Sequence, residues 1–264
     1  MSLLVKGRPE GREIVAVTPR SAGWKYVGFA AYRLNAGEAI TLSQPAEELC
    51  IVVLAGTVTV KWRDQSWREI GGRADVFDDR APYAVYIPVG DDVVVTTHTT
   101  AEVGVASAPG GASLTPRLIE PKSMKRFSRG TGLNQRFVCD ILPQSEAAAH
   151  LLVVEVRTPS GHSSSYPPHK HDVDNLPQES ALEETYYHRL QPAQGFAFQR
   201  VYTDDRSLDE SLAVEDHDVV LVPRGYHPVV VPFGYESYYL NVMAGPKREW
   251  HFKNDPAHEW MLKV

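Results

Sequence analysis

Cysteine is nearly missing from this chain: its 264 residues hold only Cys50 and Cys139. Two thiols make no disulfide framework, and a reducing, cytoplasmic setting fits them. Long apolar runs are missing too. Cys50–Ala55 is among the longest, which excludes a membrane-spanning helix and a membrane partner of that kind. Met1 to Arg12 lacks the apolar core of a secretion signal. No stretch is strongly basic. Lys plus Arg number 27 against 33 Asp plus Glu, a net charge of -6, which argues against a nucleic-acid partner. Helical periodicity is scarce: few windows repeat apolar residues at i, i+3, i+4 and i+7 over three turns. Turn residues are abundant, with 19 Gly and 19 Pro. The remaining composition, 43% hydrophobic and 23% charged, is that of a globular chain able to bury a core.

Strand signals fill the sequence. Cys50–Trp62 reads as a strand bent at Gly56. Tyr83–Ile87, Val93–Thr97, Leu151–Val156, Thr185–Leu190, Phe196–Thr203, Asp218–Val222, Pro228–Val231 and Ser237–Ala244 are also β-branched or aromatic and end at turn residues. Such spacing predicts an all-β sandwich or barrel. One short terminal helix is expected over Asp255–Leu262, with Asp255 as N-cap and Pro256 at its first position. The chain also resembles itself. Ile87-Pro88-Val89-Gly90 matches Val222-Pro223-Arg224-Gly225 at a distance of 135 positions, and Glu47–Ile51 falls on Leu182–Tyr186 at the same offset. A duplication explains both matches. It divides the chain into a first unit over 1–115, a connecting segment over 116–145 and a second unit over 146–264.

The chemistry gathers in the second unit. No histidine precedes His98, and the rest begin at His150. His169 and His171 stand two apart, so on an extended segment they share a face and could hold one ion through two imidazoles. Glu183 and Glu184 open a strand of apolar and aromatic residues, where an inward carboxylate needs a proton or a cation. His227 follows the turn Pro223-Arg224-Gly225-Tyr226 and opens the next strand, a third convergent position. His162, Lys170 and His217 read as loop residues, and Trp62 and Trp67 as packing or interface residues.

A histidine pair, a glutamate, and then Pro-x-Gly-x-His after a strand resemble the cupin superfamily. The resemblance implies two cupin jelly-roll domains in tandem. It also implies one divalent metal, held by His169, His171, Glu184 and His227. Glu184 is preferred to Glu183 because cupins tend to place the ligand three residues before a strand aromatic, here Tyr187. The sequence departs from the pattern in one respect: twelve residues, Asp172–Glu183, separate His171 from Glu184, where cupins have only a few. At the 135 offset the first unit carries Leu49 in place of Glu184 and Asp92 in place of His227, which predicts one metal site per chain.

Longer stretches narrow the resemblance. HKHD (169–172), LEETYYHR (182–189), GFAFQRVYTDDRSLDE (195–210), DVVLVPRGYHPV (218–229), YYLNVMAGPKREW (238–250), NDPAHEW (254–260) and GTGLNQRFVCDIL (130–142) are similar to the 5-deoxy-glucuronate isomerase family of bacterial myo-inositol catabolism. The family implies an aldose–ketose isomerisation of a small sugar acid. Strand parity with Glu184 makes His188 the expected proton carrier, with Glu184 itself as the fallback. Arg200, Tyr202, Arg224 and Tyr186 are the expected substrate contacts, although Arg200 could equally be an outward surface residue. The ligand set accepts Zn, Mn, Fe, Co or Ni. Broad β faces around the first unit would suit a homo-oligomer. Two other readings share the ligands: a metal-dependent cupin dioxygenase and a non-enzymatic sugar-acid-binding protein.

Overall fold

In the computed structural model, which describes residues 2–111 and 114–263, almost all regular structure is β. The first unit stacks a sheet ordered Arg117–Ile119, Ala84–Ile87, Glu47–Ala55, Ala101–Pro109, Gly28–Leu34, Glu13–Val17 on a second sheet ordered Ala39–Leu42, Val93–Thr97, Thr57–Trp62, Gln65–Gly71. The second unit repeats the plan. Its large sheet runs Leu4–Val5, Val219–Val222, Glu183–Gln191, Glu236–Ala244, Leu152–Thr158, Arg136–Leu142, Lys125–Arg129, and its small sheet runs Ser163–Ser164, Val229–Val230, Phe196–Tyr202, Asp209–Glu215. Both units are double-sheet cupin sandwiches. The bend expected at Gly56 divides Glu47–Ala55 from Thr57–Trp62, with φ at +80°.

The two large sheets are buried on both faces, which is why Cys50–Leu54 is apolar at every position rather than at alternate ones. Leu49, Ile51 and Val53 fill the first sandwich, while Cys50, Val52 and Leu54 join a core continuous with the second unit. Phe29 packs on Tyr187 across that boundary, ring centroids 5.2 Å apart. A Cβ on Gly104 would come within 3.1 Å of Leu240. The segment leading into each unit pairs with the other: Leu4–Val5 with Val219–Val220, and Arg117–Ile119 with Ala84–Tyr86. Cys50 and Cys139 are buried and unpaired, and burial pushes both thiols up to about 12. The terminal segment differs from expectation. Asp255 accepts the Ala257 N–H as a cap would, but the chain continues as a 3-10 turn over Glu259–Lys263 rather than an α-helix.

Two charged features lock the units together. Glu183 accepts the backbone N–H groups of Lys25, Tyr26 and Val27 at 2.8, 2.7 and 3.0 Å. Its repeat equivalent, Glu48, accepts those of Ala149, His150 and Leu151 at 2.7, 2.6 and 2.7 Å. The second feature centres on Glu102. It receives Tyr187 Oη and Arg189 Nη1 at 2.8 Å each, with Arg33 at 3.3 Å and His217 at 3.4 Å. His217, expected in a loop, is buried in this cluster. Burial alone would raise the Glu102 carboxyl, but His217, Arg189 and Tyr187 outweigh it and hold it at about 2. A carboxylate depressed in the fold contributes stability above its unfolded value and loses it as pH falls through the folded one. Glu102→Gln should therefore lower unfolding stability by about 3–5 kcal/mol at pH 7. That deficit should narrow as pH drops below about 4.3, the unperturbed value. Urea unfolding checks this, and an unchanged midpoint at pH 7 would refute it.

Candidate metal centre

Strand alternation sets the site. Along Glu183–Gln191, residues 183, 187 and 189 reach toward the first unit, while Glu184 turns the other way, into the second sandwich. The expected choice between Glu183 and Glu184 thus has a geometric counterpart, since Glu183 is occupied by three backbone N–H groups. The twelve-residue separation folds away as a hairpin of Asp172–Asn175 and Glu179–Ala181. Leu182 N–H closes it by donating to the His171 carbonyl at 2.9 Å. This brings His171 Nε2 to 3.1 Å from Glu184 Oε2. Lys170, expected as a plain loop residue, points opposite to its neighbouring histidines. It is buried against Asp172 at 2.7 Å and Glu179 at 3.2 Å. Asp172 also accepts the Gly225 N–H at 2.7 Å, tying the hairpin to the turn that presents His227.

The ligand atoms of His169, His171 and His227 lie within 4.8 Å of one another, and all three residues are buried. His227 Nε2 stands 3.2 Å from Glu184 Oε2. Its Nδ1–H donates to the Gly225 carbonyl at 2.8 Å, which leaves the Nε2 lone pair facing the cluster. That Nε2 is buried without a hydrogen-bond partner. Burial pushes His227 down to about 4, and burial with His227 and His171 nearby carries His169 well below the ordinary histidine value. Neutral imidazoles are the form that ligates metal. Burial also depresses His171, but its contact with Glu184 outweighs that and raises it. Three imidazoles and a carboxylate around an orphaned nitrogen suit a divalent cation.

The cluster opens on an inner chamber of about 30 Å³ walled by Glu184, Tyr186, Tyr239, Asn241, Arg136 and Ser165, among others. Arg129, Arg136 and His169 are shared with an outer cleft of about 400 Å³. Ser165 Oγ lies 3.0 Å from Tyr186 Oη and 3.3 Å from Tyr239 Oη. Asn241 Nδ2 is buried without a partner.

Of the expected substrate contacts, only Tyr186 lies on this wall. Arg200 is exposed and held by Asp209 through two 2.7 Å contacts, because residues 197, 199 and 201 take the inward face of its strand. Tyr202 is buried but donates to Asp255 at 2.8 Å. Arg224 lies exposed in its turn. His188 has the inward parity expected of it and is buried, stacked on Tyr186, but it does not line the chamber. Its Nε2–H donates to Gln199 Oε1 at 2.9 Å, and burial lowers it to about 4. The sequence reading missed Arg129, Arg136, Tyr239 and Asn241. The alternation of Tyr239 and Asn241 within an apolar strand was the available signal for the last two. In the first unit, Leu49 is packed in the core and Asp92 is exposed.

Comparison with known proteins agrees with this architecture. The sequence model of the KduI/IolB family matches residues 3–261. A 5-deoxy-glucuronate isomerase of Geobacillus kaustophilus is 52% identical over 254 residues, covering 96% of this chain and 92% of that one. The Bacillus subtilis strain 168 protein of the same name is 47% identical, covering 100% of both. The crystal structure of an IolB-like protein from Salmonella typhimurium LT2 superposes with a TM-score of 0.97 at 50% identity, covering 99% of this chain and 100% of that one. Oxalate decarboxylase of Lactobacillus farciminis shares the fold alone, with a TM-score of 0.65 at 12% identity over 100% of this chain and 91% of that one.

Proposed function

This chain belongs to the KduI/IolB family, and on that premise we propose that it isomerises 5-deoxy-D-glucuronate to 5-dehydro-2-deoxy-D-gluconate, the aldose–ketose step of myo-inositol breakdown. The observation that carries the reading is the convergence of His169, His171, His227 and Glu184 beside a chamber walled by Tyr186, Tyr239, Asn241 and Arg136. These four residues would hold one divalent metal per chain, which would polarise the substrate's C1 carbonyl and C2 hydroxyl oxygens as a Lewis acid.

The chain's own groups do the rest. Burial and the nearby Glu184 keep the Tyr186 hydroxyl protonated at neutral pH, so it is a hydrogen-bond donor to a developing oxyanion. Asn241 Nδ2 offers a second donor. Glu184 is the carboxylate on the chamber wall that can take the C2 proton and return it to C1. His188 acts through position: Gln199, which it binds, donates to the His227 carbonyl at 3.3 Å.

The test is to incubate the purified, metal-loaded enzyme with the aldose in D2O without oxygen. The expected result is a ketose carrying deuterium at the carbon that was C1 of the aldose, and His188→Gln should keep the isotope pattern while slowing turnover by about 10-fold, a supporting residue's contribution. Product without oxygen excludes a dioxygenase. Binding without product would make the protein a sugar-acid carrier and overturn the proposal.

A further inference from the structure

Arg129 and Arg136 stand directly opposite each other at the end of the hairpin formed by Lys125–Arg129 and Arg136–Leu142. Like charges placed across an antiparallel pair are destabilising. Among the described residues neither arginine forms an ion pair with a carboxylate, whereas nine of the chain's eighteen arginines do. Both are only half-exposed, and both line the inner chamber together with Glu184 and His169. The local backbone is shaped around this arrangement. Gly130 has φ +74°, and a Cβ there would meet the Asn134 carbonyl at 2.2 Å and Arg136 Nη1 at 2.9 Å. Arg136 Nη1 donates to Asn134 O and Oδ1 at 3.1 Å each, which leaves the other end of its guanidinium fork free. Arg129 is held by aromatic faces, its Cζ 5.4 Å from the Phe127 ring centroid and 5.5 Å from that of Trp250. Such faces orient a guanidinium without neutralising it.

We infer that Arg136, supported by Arg129, binds the substrate's carboxylate and makes the site specific for a sugar acid over a neutral sugar. The inference rests on the isomerase reading and adds the specificity determinant to it. In the substrate, the carboxylate and the aldehyde sit at opposite ends of one carbon chain. Arg129, Arg136 and His169 line both the inner chamber and the outer cleft of about 400 Å³, and Glu184 lines the chamber, so the cationic pair and the metal-ligating cluster border adjoining space. A planar fork can grip a carboxylate with two parallel hydrogen bonds, and the anion would relieve the repulsion between the arginines. Thr131 and Asn134, from the same hairpin, line the outer cleft and offer further polar contacts.

The experiment measures binding apart from turnover. Titration calorimetry on metal-loaded protein would compare two unreactive probes: the substrate with its aldehyde reduced to an alcohol, and the same compound with the carboxylate also reduced. Wild type should bind the acid more tightly. Arg136→Met should weaken the acid by about 10²-fold, the scale of charge-assisted hydrogen bonds, and leave the neutral probe within about 3-fold. Arg136→Lys, which keeps the charge but loses the fork, should fall between them. Metal content should be equal in all three proteins, which separates the effect from unfolding. Unchanged acid binding in Arg136→Met, equal loss of both probes, or a wild type that binds both probes alike would each overturn the inference. Failure of the isomerase reading looks different: wild type would bind the acid but not convert the aldehyde.

Discussion

His171→Ala is expected to lose its metal and its isomerase activity together while remaining folded. Activity should fall by about 10³-fold or more, since a Lewis-acid ion supplies several kcal/mol of transition-state stabilisation and each 1.36 kcal/mol is tenfold in rate. His171 contributes to the site alone. Its Nε2 faces Glu184 and its Nδ1 the Leu182 carbonyl at 3.3 Å, and it belongs to no apolar cluster. The sandwich is held by the strands around it and by the first unit, whose core contains no ligand. Elemental analysis should return one metal per chain for wild type and none for the variant, with superimposable far-UV dichroism. A variant that unfolds at ambient temperature would show the ion to be structural, and two metals per chain would place a second site in the first unit.

The strands most visible in the sequence are those with β-branched or aromatic residues, such as Val93–Thr97 and Glu236–Ala244. The less visible ones, Gly28–Leu34 and Ala101–Pro109, are rich in Gly and Ala. Their smallness is a packing requirement: a Cβ on Gly28 would stand 2.3 Å from Ser107 Oγ. Propensity does not report how closely another element approaches. The convergence of His169, His171, Glu184 and His227 was legible because each follows a local rule of parity or turn chemistry. The position of Arg136 was not, because only the folded chain shows which arginines have a carboxylate beside them, and among the described residues Arg136 has none. Arg200 looked equivalent in sequence but finds Asp209 on the neighbouring strand.

Glu48 and Glu183 occupy the same place in the two repeats, yet alanine at each should have different consequences. Glu48 is fully buried, and besides its three backbone N–H groups it accepts the Tyr86 hydroxyl at 2.5 Å. Its removal leaves several buried donors unsatisfied, a cost of about 3–4 kcal/mol. In a chain of this size that corresponds to a Tm lower by about 10 °C. Its neighbour Leu49 is a core residue, so metal affinity should not change. Glu183→Ala should cost less stability, since Lys25 is exposed and its N–H can turn to water. Residue 183, however, fixes the start of the strand whose next side chain is Glu184. Released from the first unit, that strand end should hold the carboxylate less well and weaken the metal by about 10–100-fold, the usual effect of a group that orients a ligand. Thermal unfolding of metal-free protein and competition with a chelator measure the two effects separately. Weakened metal in Glu48→Ala, or unaltered metal in Glu183→Ala, would mean that the first unit stabilises the second without positioning its ligands. The expected split instead makes the metal-free repeat part of the site's geometry: one carboxylate of a duplicated pair anchors the fold, and the other also aims the residue beside it.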